Sequence, residues 1–179
     1  MIFTETAIAG AWILTPERRD DKRGFFARVW CERELAQRGL ETRVAQCSVS
    51  WNRQRGTLRG LHYQIAPHEE VKLVRCTRGA VYDVIVDLRP ASPSVGRHAA
   101  IELTAENRLT LYIPKGFAHG FQTLDDDTEM FYKMSEFHAP DAGRGARWDD
   151  PAFGISWPIS EPILNERDRS YPDIALARR

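Results

Sequence analysis

Short runs of alternating apolar and polar residues dominate the chain, and turn residues separate them. KLVRC (72–76), AVYDVIVDL (80–88), RLTLYIP (108–114) and EMFYKMSEF (129–137) are rich in β-branched and aromatic side chains, the composition that favours strands. Breaks fall at Arg55-Gly56, Arg78-Gly79, Pro93 to Gly96 and Pro114 to Gly116, where glycine and proline supply turn geometry. CERELAQRG predicts one short helix stopped by Gly39, with Leu35 its only large apolar residue. Many short strands and few helices predict an all-β sandwich or closed barrel.

Period-two alternation then assigns faces. In TEMFYKM, Tyr132 shares its face with Met130 and Met134, while Glu129 and Lys133 share the other with Phe131. A tyrosine between methionines is expected to point inward. Lys72 lines up with Val74 and Cys76, an odd place for an ammonium group. A lysine facing a barrel interior is costly unless it is paired or meets a polar ligand. From Trp148 onward prolines alternate with aromatics, predicting an irregular C-terminal wrap that contains Asp168.

Composition narrows the function classes. A chain of 179 residues, 42% hydrophobic and 28% charged, reads as one globular domain over 1–179. Lys plus Arg equals Asp plus Glu, 25 each, so no global field draws nucleic acid or an anionic membrane. Cys31, Cys47 and Cys76 are odd in number and lack C-x-x-C spacing, which predicts reduced thiols in a cytoplasmic protein. No apolar run approaches the ~20 residues of a bilayer span, and Glu5 stands where a signal peptide wants positive charge.

Several chemistries lack their signatures. His62, His68, His98, His119 and His138 do not show the spacing of a metal-binding barrel, and each alone is more often a structural hydrogen-bonder than a ligand. Ser48 and Ser50 have no G-x-S-x-G elbow around them, and Cys47 has no recognisable partner. No phosphate-cradling glycine loop is present, so a nicotinamide or ATP site is not expected. Proton transfer remains. An imidazole takes a proton near neutral pH, a phenol gives one, and a buried ammonium stabilises an enolate oxygen. His62, Lys72 and Tyr132 on interior faces would make a site for removing a proton next to a carbonyl.

Six blocks in order resemble one family. They are DKRGFF (21–26), TLRGLHYQ (57–64), VKLVRCTRGAVYDVIVDLR (71–89), YIPKGFAHGFQTL (112–124), FYK (131–133) and RWDDPAFGISWP (147–158). Together they are similar to the dTDP-4-dehydrorhamnose 3,5-epimerases over nearly the whole chain. The resemblance implies a cupin-type β jelly roll (double-stranded β-helix) with a few short helices, no metal and no cofactor. It also implies a homodimer with the N-terminal strands at the interface. The implied substrate is a nucleotide-diphospho-4-keto-6-deoxy sugar, epimerised at C3 and C5 through an enolate. By the same resemblance His62 is the general base, Asp168 holds its ring, Tyr132 is the general acid and Lys72 faces the C4 oxyanion. Arg23, Phe26, Gln46, Arg59 and His119 correspond to substrate-binding positions, and Arg167 stands where the family usually has lysine.

The departures cluster at the nucleotide end. Arg28 replaces a glutamate, Gln46-Cys47-Ser48 replaces Q-D-N, His138 replaces a tyrosine and Gly143 replaces a glutamate. Exchanging glutamate for arginine turns an acceptor into a donor. This leaves a non-dTDP handle and neutral drift both open. Also open are an enzyme inverting only C3 or only C5, a cupin that binds the sugar nucleotide without turning it over, and a metallo-cupin oxygenase.

Overall fold

The computed structural model describes residues 1–174. Thirteen strands lie on the path, the first four short: β1 (Ile2–Glu5), β2 (Trp12–Thr15), β3 (Arg18–Asp21) and β4 (Gly24–Ala27). Helix α1 (Glu32–Ala36) follows, then β5 (Gln46–Asn52), β6 (Leu58–Gln64), β7 (Lys72–Arg78), β8 (Ala80–Asp87) and β9 (His98–Thr104). The remainder is β10 (Thr110–Ile113), β11 (Phe117–Thr123), β12 (Thr128–Met134), β13 (Gly143–Gly145) and the single-turn helix α2 (Glu166–Arg169).

Two antiparallel sheets face each other as a jelly roll. One runs β1-β2-β10-β7-β12-β5 and the other β13-β6-β11-β8-β9, with β3 and β4 forming a separate two-stranded hairpin. The four runs richest in β-branched and aromatic residues form β7, β8, β10 and β12, as that composition favours. Between the sheets lies a core of Val74, Cys76, Leu111, Ile113 and Met130 from one side and Val81, Ile85, Leu103, Phe117 and Phe121 from the other. Tyr132 packs against this cluster, on the inward face that its methionine neighbours predict.

Both sheets are partly covered outside as well. Leu35 of α1 packs on Leu14, Leu73 and Tyr112, which covers part of the first sheet's outer face. The C-terminal wrap places Phe153, Ile155 and Trp157 against Leu61, Val84 and Val86 of the second. Burial on both faces explains why β8 reads as a nearly continuous apolar run rather than an alternation. The wrap also carries α2 back to β6, so Asp168 arrives beside a strand more than a hundred residues upstream.

Candidate active site

A cleft of about 400 Å³ opens at one end of the sandwich, between the two sheets. Strand β5 turns Gln46, Ser48 and Ser50 into it, β12 adds Tyr132 and Met134, and β6 contributes Arg59 and His62. Lys72, at the start of β7, and His119 on β11 complete its floor.

His62 and Asp168 form a tight pair, Nε2 to Oδ1 at 2.7 Å. Asp168 is buried, while the imidazole keeps 42% of its side chain exposed toward the cleft. Two further bonds fix Asp168, one at its carboxylate and one at its backbone. The Gly60 backbone N–H donates to Oδ2 at 3.1 Å, and the Asn165 side chain caps α2 by accepting from the Asp168 N–H at 2.7 Å. A capped turn with one carboxylate oxygen on the backbone of β6 leaves the other to orient the ring.

Lys72 is nearly buried but paired. Its Nζ lies 3.0 Å from Glu70 Oε1 and donates to the His62 carbonyl at 3.2 Å. An ammonium has three donors, so among the described residues one N–H remains for a ligand. The Tyr132 phenol is pushed well above its ordinary range by burial, and the nearby Asp83 carboxylate pushes it further. Asp83 itself is fully buried and lies 3.0 Å from His119 Nε2 through both oxygens. Burial raises its carboxyl pKa, and the facing His119 opposes that rise. The His119 ring meets Tyr132 edge-on at 6.0 Å.

The cleft therefore gathers Gln46, Ser48, Arg59, His62, Lys72, His119, Tyr132, His138, Gly143 and Arg167, with Asp168 directly behind His62. Three expected contacts lie elsewhere. Arg23 pairs with Asp21 at 2.6 Å with its side chain 89% exposed, Phe26 is 75% exposed, and Arg28 pairs with Glu34 at 3.2 Å. The first two sit on the β3–β4 hairpin and Arg28 directly follows it, outside this cleft.

Sequence reasoning missed Glu70, Gln64 and Arg144, all lining residues, and Asp83. The signal for Asp83 was available: a carboxylate set among the apolar residues of AVYDVIVDL has to find a buried partner. Gln64 holds the rim, donating to the His68 and Phe137 carbonyls and accepting from the Ala139 N–H. Among the described residues no three His, Cys, Asp or Glu side chains converge as metal ligands.

Comparison with known proteins points one way. A family model described as dTDP-4-dehydrorhamnose 3,5-epimerase matches residues 5–175. A protein of that name from Sinorhizobium fredii is 42% identical over 97% of this chain and 90% of its own. The crystal structure of the epimerase from Bacillus anthracis, with TDP and PPi bound, superposes with a TM-score of 0.93 at 39% identity, covering 97% and 99% of the two chains. That from Legionella pneumophila, in complex with dTDP-4-keto-L-rhamnose, gives 0.88 at 35% identity over 95% and 90%. A 3'-monoepimerase from Streptomyces bikiniensis, in complex with dTDP-quinovose, gives 0.87 at 35% identity over 94% and 85%.

Proposed function

The chain belongs to the dTDP-4-dehydrorhamnose 3,5-epimerase family, and from that premise we propose that it inverts C3 and C5 of a dTDP-linked 4-keto-6-deoxy sugar, with His62, Tyr132, Lys72 and Asp168 as the working groups. The observation that carries this reading is that His62 and Tyr132 line one cleft from facing sheets, with a carboxylate 2.7 Å behind the imidazole. A sugar ring between them meets a base on one side and an acid on the other.

The C4 ketone acidifies the hydrogens at C3 and C5. His62 Nε2 is engaged by Asp168, so the other ring nitrogen takes the proton and Asp168 stabilises the imidazolium. Negative charge moves to the C4 oxygen, where the remaining Lys72 N–H meets it. Tyr132, held protonated by its burial, donates to the opposite face of the same carbon and inverts it. The half-exposed imidazole returns its proton to water, the phenolate is reprotonated, and the cycle repeats at the second carbon. Substrate and product share one oxidation state, so each step is a proton transfer.

The Arg59 guanidinium suits the diphosphate, because its fork donates two hydrogen bonds at once. Gln46, Ser48, His138, Gly143 and Arg167 are assigned to the nucleotide end of the cleft. The hairpin residues Arg23 and Phe26, and Arg28 after them, serve the cleft of a second copy. That assignment makes the protein a homodimer joined through its N-terminal strands. Among the described residues no helix is long and apolar enough to cross a membrane, and the three free thiols fit a reducing cytoplasm.

Wash-in of solvent deuterium, followed at each carbon by NMR with dTDP-, CDP-, GDP- and UDP-linked 4-keto sugars, tests the reading. Label at both C3 and C5 with preference for dTDP is the expected result. The likeness to a 3'-monoepimerase supports a second reading, in which only C3 exchanges. Tight binding with no label at either carbon would leave a sugar-nucleotide-binding cupin.

A further inference from the structure

Arg59 is largely exposed, yet one of its nitrogens is held from below. Its Nε donates to the Asn52 side-chain oxygen at 2.6 Å. Asn52 closes β5 and is only 2% exposed. Its amide nitrogen donates to the Ser50 carbonyl and the Thr128 carbonyl, each at 3.2 Å. Both amide hydrogens are thus spent on the backbone of β5 and its partner β12, and the carbonyl oxygen is left facing the arginine.

The chemistry of this arrangement is specific to asparagine. Two carbonyls on one side require a donor and a guanidinium on the other requires an acceptor, which only a carboxamide supplies from one end of a short side chain. Aspartate would turn an acceptor toward the Ser50 and Thr128 carbonyls, leaving both without the donor they now have. It would also neutralise the arginine, whereas an amide oxygen orients the guanidinium and leaves its full charge for a ligand. Nε is taken, which leaves the two terminal nitrogens, with no protein hydrogen bond among the described residues, for a ligand in the cleft that Arg59 lines.

We propose that Asn52 is a positioning residue that aims the Arg59 fork at the substrate's diphosphate. The proposal rests on the reading that Arg59 contacts the diphosphate and adds a second, buried residue to it. Holding the fork in one orientation removes the rotamer cost that a free arginine meets on binding.

Binding of inorganic pyrophosphate by calorimetry, together with KM and kcat, tests it in a double-mutant cycle of Asn52→Ala and Arg59→Ala. The expected pattern is a roughly tenfold weaker pyrophosphate Kd and a matching rise in KM for Asn52→Ala, kcat within twofold, and no further loss when Arg59→Ala is already present. Arg59→Ala alone should weaken pyrophosphate at least as much. An Asn52→Ala enzyme with unchanged Kd beside a weakened Arg59→Ala enzyme overturns the proposal and leaves the Arg59 reading standing. Equal losses from Asn52→Ala in both backgrounds also overturn it, since the amide would then act through the strand and not the arginine. Unchanged binding in Arg59→Ala removes both. Should Asn52→Ala fail to fold, Asn52→Ser keeps a polar group at the end of β5, is too short to hold the Arg59 Nε–H, and leaves the guanidinium itself unchanged. Pyrophosphate binding equal to wild type in that variant overturns the proposal, and a tenfold loss supports it.

Discussion

Arg59 and His62 lie three residues apart on β6 yet both face the cleft. Strict alternation would set them on opposite faces. The pairing of β6 with β11 slips between them: His119 stands opposite His62 and Phe121 opposite Arg59, so two steps on β11 span three on β6. Such a bulge re-aims a side chain beside a site. Gly60 sits in it at φ +137°, where an added Cβ would lie 2.5 Å from the Gly120 Cα and 3.0 Å from the His119 carbonyl oxygen. Gly60→Ala should therefore cost at least about 1–3 kcal/mol from backbone conformation alone, read as a lower urea midpoint. It should also depress turnover, because the Gly60 N–H anchors Asp168. A variant with wild-type stability and turnover would mean the bulge tolerates a side chain.

Asp168→Asn keeps the volume at the buried dyad and changes the bond to His62 Nε2. An amide N–H facing that nitrogen favours the wrong tautomer, and an imidazolium loses its carboxylate. General-base catalysis is worth about 100- to 10,000-fold, and a loss of kcat in that range is expected. Deuterium wash-in at C3 and C5 should fall with it. Retained exchange at either carbon would assign that carbon to another base.

Lys72→Ala removes the donor assigned to the enolate oxygen. Loss of one such donor costs about 2.7–4 kcal/mol of barrier, so turnover should drop while dTDP affinity stays near wild type. Near-normal turnover would take the oxyanion role from Lys72. Glu70, 3.0 Å from the ammonium, gives a milder companion. Glu70→Gln should lower kcat less, because Lys72 keeps its bond to the His62 carbonyl.

The sheet strands with clean alternation were legible because one face is core: Met130 and Tyr132, or Val74 and Cys76, mark it by themselves. Strand β11 was not, since all seven of its residues are buried and FAHGFQT carries no two-residue rhythm. Strand β3, RRDD, is wholly exposed and offers no apolar face to read. The proposed catalytic set shows the same division. Lys72 and Tyr132 declare their inward faces by parity. The reach from His62 to Asp168 is tertiary, and only family resemblance linked them. The arginine clamp is also tertiary: Asn52 shares the inward face of Gln46 and Ser48 by count, but its bond to Arg59 depends on the slipped register of β6.

The Tyr132 phenol supplies a pH test. Burial, with the Asp83 carboxylate, raises its folded pKa above the unfolded value of about 10. Below that pH both states hold the proton, and the group's contribution to stability is fully present. As pH rises past about 10 the unfolded chain ionises first, so stability falls. Cys76, Tyr63, Tyr112 and Tyr171 are raised too, but they are common to wild type and Tyr132→Phe. The stability difference between those two proteins should therefore shift against wild type from pH 9 to 11 in urea titrations. A constant difference would show that the phenol titrates alike in both states.

The homodimer assignment makes the last prediction. Outside the first sheet, beyond α1, lies a recess of about 230 Å³ lined by Val29, Leu73, Arg75, Phe131 and Lys133. Trp51 is 47% exposed and Val49 58% on the neighbouring β5. Arg75 Nε is buried there with no hydrogen-bond partner among the described residues, and burial pulls the pKa of both Arg75 and Lys133 down. A face that mixes exposed apolar side chains with an unsatisfied buried donor would suit a partner surface. A second copy would cover it and bring the β3–β4 hairpin within reach of the neighbouring cleft. Trp51→Glu should then sediment as a monomer and lose most turnover, although no residue of its own cleft is changed. Mixing His62→Asn with Phe26→Asp subunits should recover activity that neither has alone, since one cleft of each mixed pair receives an intact base and an intact hairpin. A fully active Trp51→Glu monomer would return the hairpin residues to a role within one chain.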